Sequence, residues 1–368
     1  MKKILALIIT LSIFINISAC SKNPQEIVDQ PNLTNENTID KTLNAAVLLG
    51  GILEEGTSFY LVNKGLEMAK EEFGQRLDYK TIEMTSDDSK WLDLLEDYAK
   101  DPKLDIIILG LPKMQERLKG LAPLYPEKKF IVFDQSLDFK LDELENVYPI
   151  RFKENEGGFL AGALGGKLSE TKIIGFLGQR ENQISDDFLI GYIQGAIYVE
   201  KDIKVIISYM EDSLDISKAK EIALEQYNEY GVDVGFGLGD IGGLGQIEAA
   251  SQAEKFAIGY DLDQALILGE PLANNIPTSI IKNLDLAILS IIRSHLDGDL
   301  ANGSDDKLGI GQGVISLADN EYYKKLVPQE IIRQVEEIRL QILEGEIKVD
   351  TAFGKTTDEI QSIKDSVK

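Results

Sequence analysis

The chain has 368 residues, of which 62 are Asp or Glu and 38 are Lys or Arg, giving a formal net charge of −24 at pH 7. This acidity argues against nucleic acid and other polyanions as partners, because like charges repel. Cys20 is the single cysteine, so no intramolecular disulfide can form and the fold must depend on its hydrophobic core.

The N-terminus has the layout of a secretory signal: two lysines, an apolar run over positions 4–17, and small residues before Cys20. The run is shorter than the roughly 20 residues that a membrane-spanning helix needs. Positions 17–20 resemble a lipobox, which predicts a signal peptide over residues 1–19 and a diacylated Cys20 that anchors the chain stably. An ordinary cleaved signal with an incidental cysteine is the alternative.

Residues 20–42 are polar and predict a flexible tether. Short apolar runs then alternate with amphipathic segments, which is the pattern of βαβ units and parallel sheets. The predicted strands cover residues 45–49, 77–84, 104–109, 130–134, 147–152, 172–177, 204–209, 233–237, 256–260 and 309–317. The predicted helices cover residues 61–73, 91–99, 114–121, 157–168, 187–199, 216–230, 243–253, 284–295 and 328–343. The series restarts after residue 152, so we expect two doubly wound α/β lobes, in which ligands bind outside the carboxyl ends of strands.

A glycine motif, Gly237-Leu-Gly239-Asp-Ile-Gly242, fits the dinucleotide fingerprint, with Asp261 about twenty residues further on. The motif lies in the fifth βα unit of an exported chain, so a turn that allows tight packing is the favoured interpretation. Asp261 and Asp263 supply too few ligands for a metal, and the acidic loop over 297–306 does not fit a calcium-binding loop. We therefore predict no cofactor and no metal.

Catalysis is not indicated, because the chain has no G-x-S-x-G motif, no P-loop and a single histidine, His295. Asp134 and Asp261 are the only acid–base pair that the sequence offers for an enzyme. Phe188 near a helix start has two interpretations: a core residue, or an exposed platform for stacking a ligand.

Several segments together resemble the basic membrane protein family of substrate-binding lipoproteins, whose best-known members bind purine nucleosides. The resemblance covers nearly all of residues 45–349, and it depends on the order and spacing of its segments. These segments are residues 125–134 (YPEKKFIVFD), 152–162 (FKENEGGFLAG), 188–195 (FLIGYIQG), 258–263 (IGYDLD), 278–282 (TSIIK), 326–330 (LVPQE) and 345–349 (GEIKV).

The resemblance implies a type I periplasmic-binding-protein fold, with two parallel-sheet lobes, three crossovers, a hinge and an interlobe cleft. Crossovers are expected near residues 148–152, 261–264 and 308–311. The first lobe would then comprise residues 43–150 with about 262–307, and the second residues 151–261 with about 308–352. Residues 353–368 are predicted to form a C-terminal tail.

The same resemblance implies how a nucleoside would bind. A base would stack between Phe188 and an aromatic residue after the first strand, and Asp134 would accept hydrogen bonds from base nitrogens. The sugar hydroxyls would go to Asp261 and Lys282. Gly242 and Gly243 would offer backbone groups to the ligand.

The segment Glu54–Tyr60 departs from the family, which usually has an acidic residue followed by Ser-Phe-Asn. Alignment on Ser58 and Phe59 puts Tyr60 where Asn is expected, whereas alignment on Gly65 puts Phe59 there. One polar group that reads the base is missing in either case, which relaxes or changes specificity.

The leading hypothesis is a lipid-anchored receptor on the extracytoplasmic face of a membrane, in a Gram-positive cell, that binds a nucleoside or related heterocycle. Its expected partners are a small-molecule ligand and an ABC permease, with no nucleic acid, and the protein is expected to be a monomer. Two alternatives remain open: a surface sensor that is not coupled to transport, and a binder of another ligand such as a flavin.

Overall fold

The computed structural model describes residues 42–50, 53, 58–84, 90–110, 112–133, 144–210, 215–300 and 307–368. Residues Lys41–Lys368 form one compact unit. Cys20, the predicted signal peptide and tether, Asp134 and most of the segment before Ser58 lie outside the described residues.

The first sheet has five parallel strands: β1 (Leu43–Leu49), β2 (Leu77–Glu83), β3 (Ile106–Leu109), β4 (Lys129–Val132) and β5 (Val147–Pro149). Their order across the sheet is β2-β1-β3-β4-β5. The helices α1 (Ser58–Phe73), α2 (Trp91–Lys100) and α3 (Pro112–Leu121) lie between them in the chain. The central strand β3 is buried on both faces: Ile106 and Ile108 belong to one hydrophobic core, and Ile107 and Leu109 belong to the other. Helices cover both faces, as all-parallel sheets require.

The second sheet has six strands in the order β13-β11-β10-β9-β7-β8. They are β7 (Ile173–Gly178), β8 (Lys204–Tyr209), β9 (Val234–Gly237), β10 (Phe256–Asp261), β11 (Ser279–Lys282) and β13 (Ile315–Leu317), of which β13 runs antiparallel to β11. The accompanying helices are α4 (Glu154–Leu168), α5 (Gln183–Val199), α6 (Ile216–Asn228), α7 (Asp240–Ala253) and the short α8 (Gln264–Leu268). This architecture confirms the predicted two-lobe α/β periplasmic-binding fold.

Helices α4 and α5 pack backbone against backbone because both carry glycines at their contact. A Cβ added at Gly158 would lie 2.2 Å from the carbonyl oxygen of Phe188, and one at Gly191 would lie 2.0 Å from that of Asn155. Real Cβ atoms do not approach so closely, so side chains are excluded from this contact. The predicted helix over 157–168 is therefore one member of a tightly packed helix pair.

A short parallel pair joins the two sheets: β6 (Arg151–Phe152) pairs with β12 (Lys307–Leu308). The amide of Lys153 also donates to the carbonyl of Leu308 over 2.8 Å. These strands lie where the predicted first and third crossovers fall, so two distant parts of the chain pass side by side between the sheets.

The second predicted crossover, near residues 261–264, differs from what the structure shows. Strand β11 pairs with β10 in the second sheet, and the chain leaves that sheet only after Lys282. It then enters α9 (Leu284–Asp297), which packs on α1, with Lys64 Nζ 2.7 Å from Asp285 Oδ2. The strand 279–282, predicted to belong with the first lobe, therefore lies in the second sheet; an apolar run fits either sheet equally well. The remaining lobe boundaries stay predictions.

The C-terminal part contains α10 (Glu321–Leu326), α11 (Gln329–Leu343) and α12 (Thr357–Asp365). The predicted tail over residues 353–368 is thus a packed helix rather than a loose end. Thr356 and Glu359 form a capping box at its start. The amide of Val205 donates to the carbonyl of Val367 over 3.0 Å, which covers the outer edge of the edge strand β8.

Candidate functional site

The ends of β10 and β11 bring together two of the residues predicted to bind a ligand. These strands are parallel neighbours, with Asp261 in register with Ile281, so Asp261 and Lys282 both lie at the carboxyl edge of the sheet. Lys282 Nζ lies 3.7 Å from Asp261 Oδ1. This edge is where open α/β sheets bind ligands, because loops diverge there.

Lys282 is held from several sides. Its ammonium lies 3.4 Å from Glu154 Oε1, 4.7 Å from the centre of the Phe152 ring and 5.7 Å from that of Tyr260. Only 18% of the Lys282 side chain is exposed, whereas 40% of the Asp261 side chain is exposed. The lysine is therefore fixed in place, and the aspartate presents the open carboxylate of the pair.

Glu154, the first residue of α4, is the buried partner in this group. Burial raises the pKa of its carboxyl group, and the nearby Lys282 ammonium acts in the opposite direction. Its second oxygen, Oε2, is buried and has no hydrogen-bond partner within the part of the chain that the structure describes. Tyr260 beside it is also enclosed, and burial raises the pKa of its phenol well above its ordinary value.

The backbone at Asp261 has a left-handed conformation, with φ at +71°. This conformation is uncommon for residues other than glycine, although Asp adopts it more readily than most. It persists only where the surroundings hold it, and such residues cluster at binding sites. The conformation turns the chain sharply after β10, and the amide of Leu262 donates back to the carbonyl of Tyr260 over 2.9 Å.

Phe188 lies in the core of the second lobe rather than at an open surface. Its side chain is fully buried, and its ring meets those of Tyr260 and Phe236 edge-on, with centroids 5.4 Å and 6.1 Å away. The structure therefore shows the core position that is ordinary for phenylalanine. Phe188 supports the Lys282 group through Tyr260, and its stacking role stays a prediction.

The glycine motif forms the turn between β9 and α7. Gly239 caps the helix with φ at +86°, and the amide of Gly243 donates to its carbonyl over 2.6 Å. A Cβ at Gly243 would lie 3.7 Å from the side chain of Gln264, whose Oε1 accepts the amide hydrogen of Tyr260. Gly243 is thus close to the end of β10, whereas a Cβ at Gly242 would meet the end of the Met210 side chain at 2.2 Å.

The predicted residues of the first lobe lie at the start of α1. The Phe59 ring meets the buried Phe133 ring edge-on, with centroids 6.2 Å apart. Phe133 directly precedes Asp134, which places Phe59 near the point where the strand β4 ends. Tyr60 is half-buried on the same helix turn. The ligand contacts of Phe59, Tyr60 and Asp134 remain predictions.

Sequence reasoning missed three members of the Lys282 group: Phe152, Glu154 and Tyr260. All three fall inside segments that carry the family resemblance, but no role was attached to them. The sequence offers no clear signal at Glu154, because acidic residues are common in the first turn of a helix, where the helix dipole favours them.

Among the residues that the structure describes, every helix is too short or too polar to span a membrane. No group of three or more potential metal ligands occurs in that part of the chain.

The fold is that of the solute-binding proteins of ABC transporters. A solute-binding protein from Aeropyrum pernix K1 is 23% identical, with a TM-score of 0.64, and the match covers 88% of this chain and 98% of that one. A second, from Conexibacter woesei, is 18% identical with a TM-score of 0.65, covering 85% and 100% of the two chains. At these identities the likeness establishes the fold alone.

Sequence comparison establishes the family. Residues 42–352 match the family described as ABC transporter substrate-binding protein PnrA-like. Basic membrane protein A of Borreliella burgdorferi is 29% identical over 356 residues, covering 95% of this chain and 96% of that protein. A CD4+ T-cell-stimulating antigen of Listeria monocytogenes is 27% identical over 250 residues, covering 64% and 68%.

The chain therefore belongs to the PnrA-like, or Bmp, family of ABC transporter substrate-binding proteins. The family resemblance stated from the sequence is confirmed. A substrate-binding family is not a catalytic one, which agrees with the prediction that the protein is not an enzyme. It implies a small-molecule ligand and a permease partner, in the extracytoplasmic, membrane-associated setting of such proteins.

Proposed function

We propose that this protein is the lipid-anchored receptor of an ABC importer and binds a nucleoside in the cleft between its lobes. The observation that carries the proposal is the pair of Asp261 and Lys282 at neighbouring strand ends, 3.7 Å apart. A carboxylate accepts hydrogen bonds and an ammonium donates them, so the pair suits adjacent hydroxyl groups that do both. The ribose of a nucleoside carries such a diol.

The pair also favours an uncharged ligand. Lys282 already has a carboxylate on each side, Glu154 at 3.4 Å and Asp261 at 3.7 Å, so its positive charge is offset before any ligand arrives and gives an anionic ligand no advantage. Hydroxyl groups can share these charge-assisted hydrogen bonds without adding a charge to a desolvated site.

The remaining predicted residues would serve the base. Phe59 and Tyr60 at the start of α1, and Asp134 after β4, come from the first lobe, whereas Gly242 and Gly243 come from the second. Phe188 is buried with its ring against that of Tyr260, so it would support the site from behind Tyr260. Binding between two lobes requires closure about connecting segments, and the pairing of β6 with β12 supplies such a hinge. Stacking of a base on one of the aromatic rings would contribute roughly 1–3 kcal/mol.

The lipid anchor is the second part of the proposal. Diacylation of Cys20 would hold the protein on the outer face of the cell membrane, beside its permease. Metabolic labelling of the producing bacterium with a palmitate analogue tests this directly. Label should appear on the wild-type chain and disappear in Cys20→Ser; label that persists in that variant contradicts the anchor.

Calorimetry on the protein with a panel of nucleosides, free bases and flavins tests the ligand. We expect a nucleoside to bind and its 2′,3′-dideoxy analogue to bind more weakly. Loss of one charge-assisted hydrogen bond costs about 1.5–3 kcal/mol, so Asp261→Ala and Lys282→Met should each weaken binding by about ten- to a hundredfold.

Lys220→Met is the matched control, because Lys220 forms a comparable pair with Glu248 at 3.2 Å on the helices α6 and α7. It should leave the affinity unchanged. If no nucleoside in the panel binds, or if Asp261→Ala leaves the affinity for a bound nucleoside unaltered, the assignment is wrong. Binding of a flavin alone would favour the other ligand class.

A further inference from the structure

Glu154 lies where burial disfavours an ionised carboxylate. Its side chain is only 8% exposed, and Lys282 is the cation beside it, at 3.4 Å. A charged group removed from water costs several kcal/mol unless it is paired. Glutamine or methionine would fill the same space without that cost, so packing alone does not explain the residue.

The charged groups around Glu154 have opposite effects on the ionisation of its carboxyl group. Lys282 on β11 favours its ionised form, whereas Asp187 on α5 and Asp261 on β10 disfavour it. Tyr260 is the fourth titratable neighbour, and its ring also lies near the Lys282 ammonium. Of these neighbours, Lys282 alone makes a charged carboxylate favourable here.

Lys282 in turn needs Glu154 for its position. Asp261 is 40% exposed and lies 3.7 Å from the ammonium, so by itself it is a weak and partly solvated partner. Glu154 binds the ammonium from the buried side, and the Phe152 ring closes another side at 4.7 Å. The lysine is fixed between an inner carboxylate and an outer one.

We propose that Glu154 is a positioning residue, which holds the Lys282 ammonium at the cleft so that Lys282 and Asp261 together receive the ligand's hydroxyl groups. The part of this proposal that concerns the ligand's hydroxyl groups rests on the proposed nucleoside function. The contact between Glu154 and Lys282 itself is independent of any ligand, so the two can be tested apart.

The first test needs no ligand. The carboxyl carbon of Glu154 is followed by ¹³C NMR over a pH titration, in the wild-type protein and in Lys282→Met. Removal of the one ammonium that lowers the pKa of Glu154 should move its titration midpoint upward. An unchanged midpoint in Lys282→Met would overturn the proposal.

The second test is a double-mutant cycle on the affinity for inosine. Coupled residues show interaction energies large enough to change an equilibrium by about tenfold, so we expect Glu154→Gln to weaken binding by about tenfold in the wild type. In the Lys282→Met background the same change should alter binding less than about twofold. A structural defect would weaken binding equally in both backgrounds, and this result would overturn the positioning role.

Glu156→Gln is the matched control, because Glu156 lies two residues on in the same helix but accepts the amide of Ile310 and pairs with Lys153. Its effect on affinity should be the same with or without Lys282. If wild-type protein does not bind inosine, the cycle is measured with a nucleoside of the panel that does bind. If none binds, the nucleoside assignment fails, and the NMR titration alone decides whether Glu154 and Lys282 are linked.

Discussion

The carbonyl oxygen of Tyr192 on α5 lies 2.0 Å from the point that a Cβ on Gly162 of α4 would occupy. Both partners are rigid, since the oxygen belongs to a helix backbone and the glycine lies in the middle of the facing helix. The clash can be relieved only by moving the two helices apart. These helices pack on one face of the second sheet, and α4 begins with Glu154 of the Lys282 group.

Gly162→Ala should therefore destabilise the protein. Overpacking a well-packed contact costs about 1–3 kcal/mol, and occasionally more. Denaturant unfolding measures the change in the free energy of unfolding. Gly120→Ala is the control, because Gly120 lies in α3 and nothing lies within 4 Å of its added Cβ; alanine there should be neutral or stabilising by up to about 1 kcal/mol. Equal effects of the two variants would contradict the packing argument.

One of the contacts that hold the C-terminal helix on the second lobe is made by a buried lysine. Lys364 Nζ lies 2.9 Å from Asp186 Oδ1, and their side chains are only 8% and 13% exposed. Lys364→Met would leave the largely buried Asp186 carboxylate without its cation and with only the Tyr209 hydroxyl, at 3.4 Å, so it should cost about 1–3 kcal/mol of stability. Thermal unfolding of this variant is compared with that of Lys368→Met, whose pair with Asp365 is exposed and should contribute almost nothing.

Much of the architecture was predictable because the periodicity of apolar residues distinguishes strands from helices. The predicted helix over 61–73 is found as Ser58–Phe73, and the strand over 256–260 as Phe256–Asp261. Sheet membership was harder: the run Ser279–Lys282 is apolar enough for either lobe, and only tertiary pairing places it beside β10.

Two features were missed because each depends on a buried polar residue where a core residue is expected. Helix α12 is held by Lys364, and a lysine on a charged segment is usually solvated. Glu154 was missed for the same reason, since its partner Lys282 is more than a hundred residues away in the sequence. Buried ion pairs between distant segments leave no periodic signal, whereas Asp261 and Lys282 were predicted through the family resemblance, and their ligand contacts stay predictions.

The contact between Glu156 and the backbone just after β12 gives a third prediction. The amide of Ile310 donates to Glu156 Oε2 over 2.7 Å, and a Cβ on Gly309 would lie 2.3 Å from the same oxygen. Gly309→Ala should displace the carboxylate and free this amide, so that hydrogen exchange at Ile310 becomes faster and the melting temperature falls. Gly311→Ala, whose added Cβ would have its nearest neighbour at 3.9 Å, should change neither. Unaltered exchange at Ile310 in Gly309→Ala would show that the hydrogen bond to Glu156 does not protect this amide.

Asp187 should make stability depend on pH. Burial raises the pKa of its carboxyl group above the ordinary value, although hydrogen bonds from Thr351 and Ala352 act in the other direction. Folding then favours the protonated form. The stabilisation is complete below the unfolded-state pKa of about 3.9 and is lost as the pH rises through the folded-state pKa.

The free energy of unfolding of wild type, measured relative to Asp187→Asn, should therefore fall as the pH rises from about 4 towards neutrality. Asp365 provides a surface control: its hydrogen bond with Lys368 lowers the pKa of its carboxyl group, but the pair is exposed. Relative to Asp365→Asn, wild type should therefore show at most a slight gain of stability with rising pH, which is opposite in sign. A pH-independent difference between wild type and Asp187→Asn would mean that the Asp187 carboxyl keeps its ordinary pKa on folding, and that its hydrogen bonds from the C-terminal segment fully offset its burial.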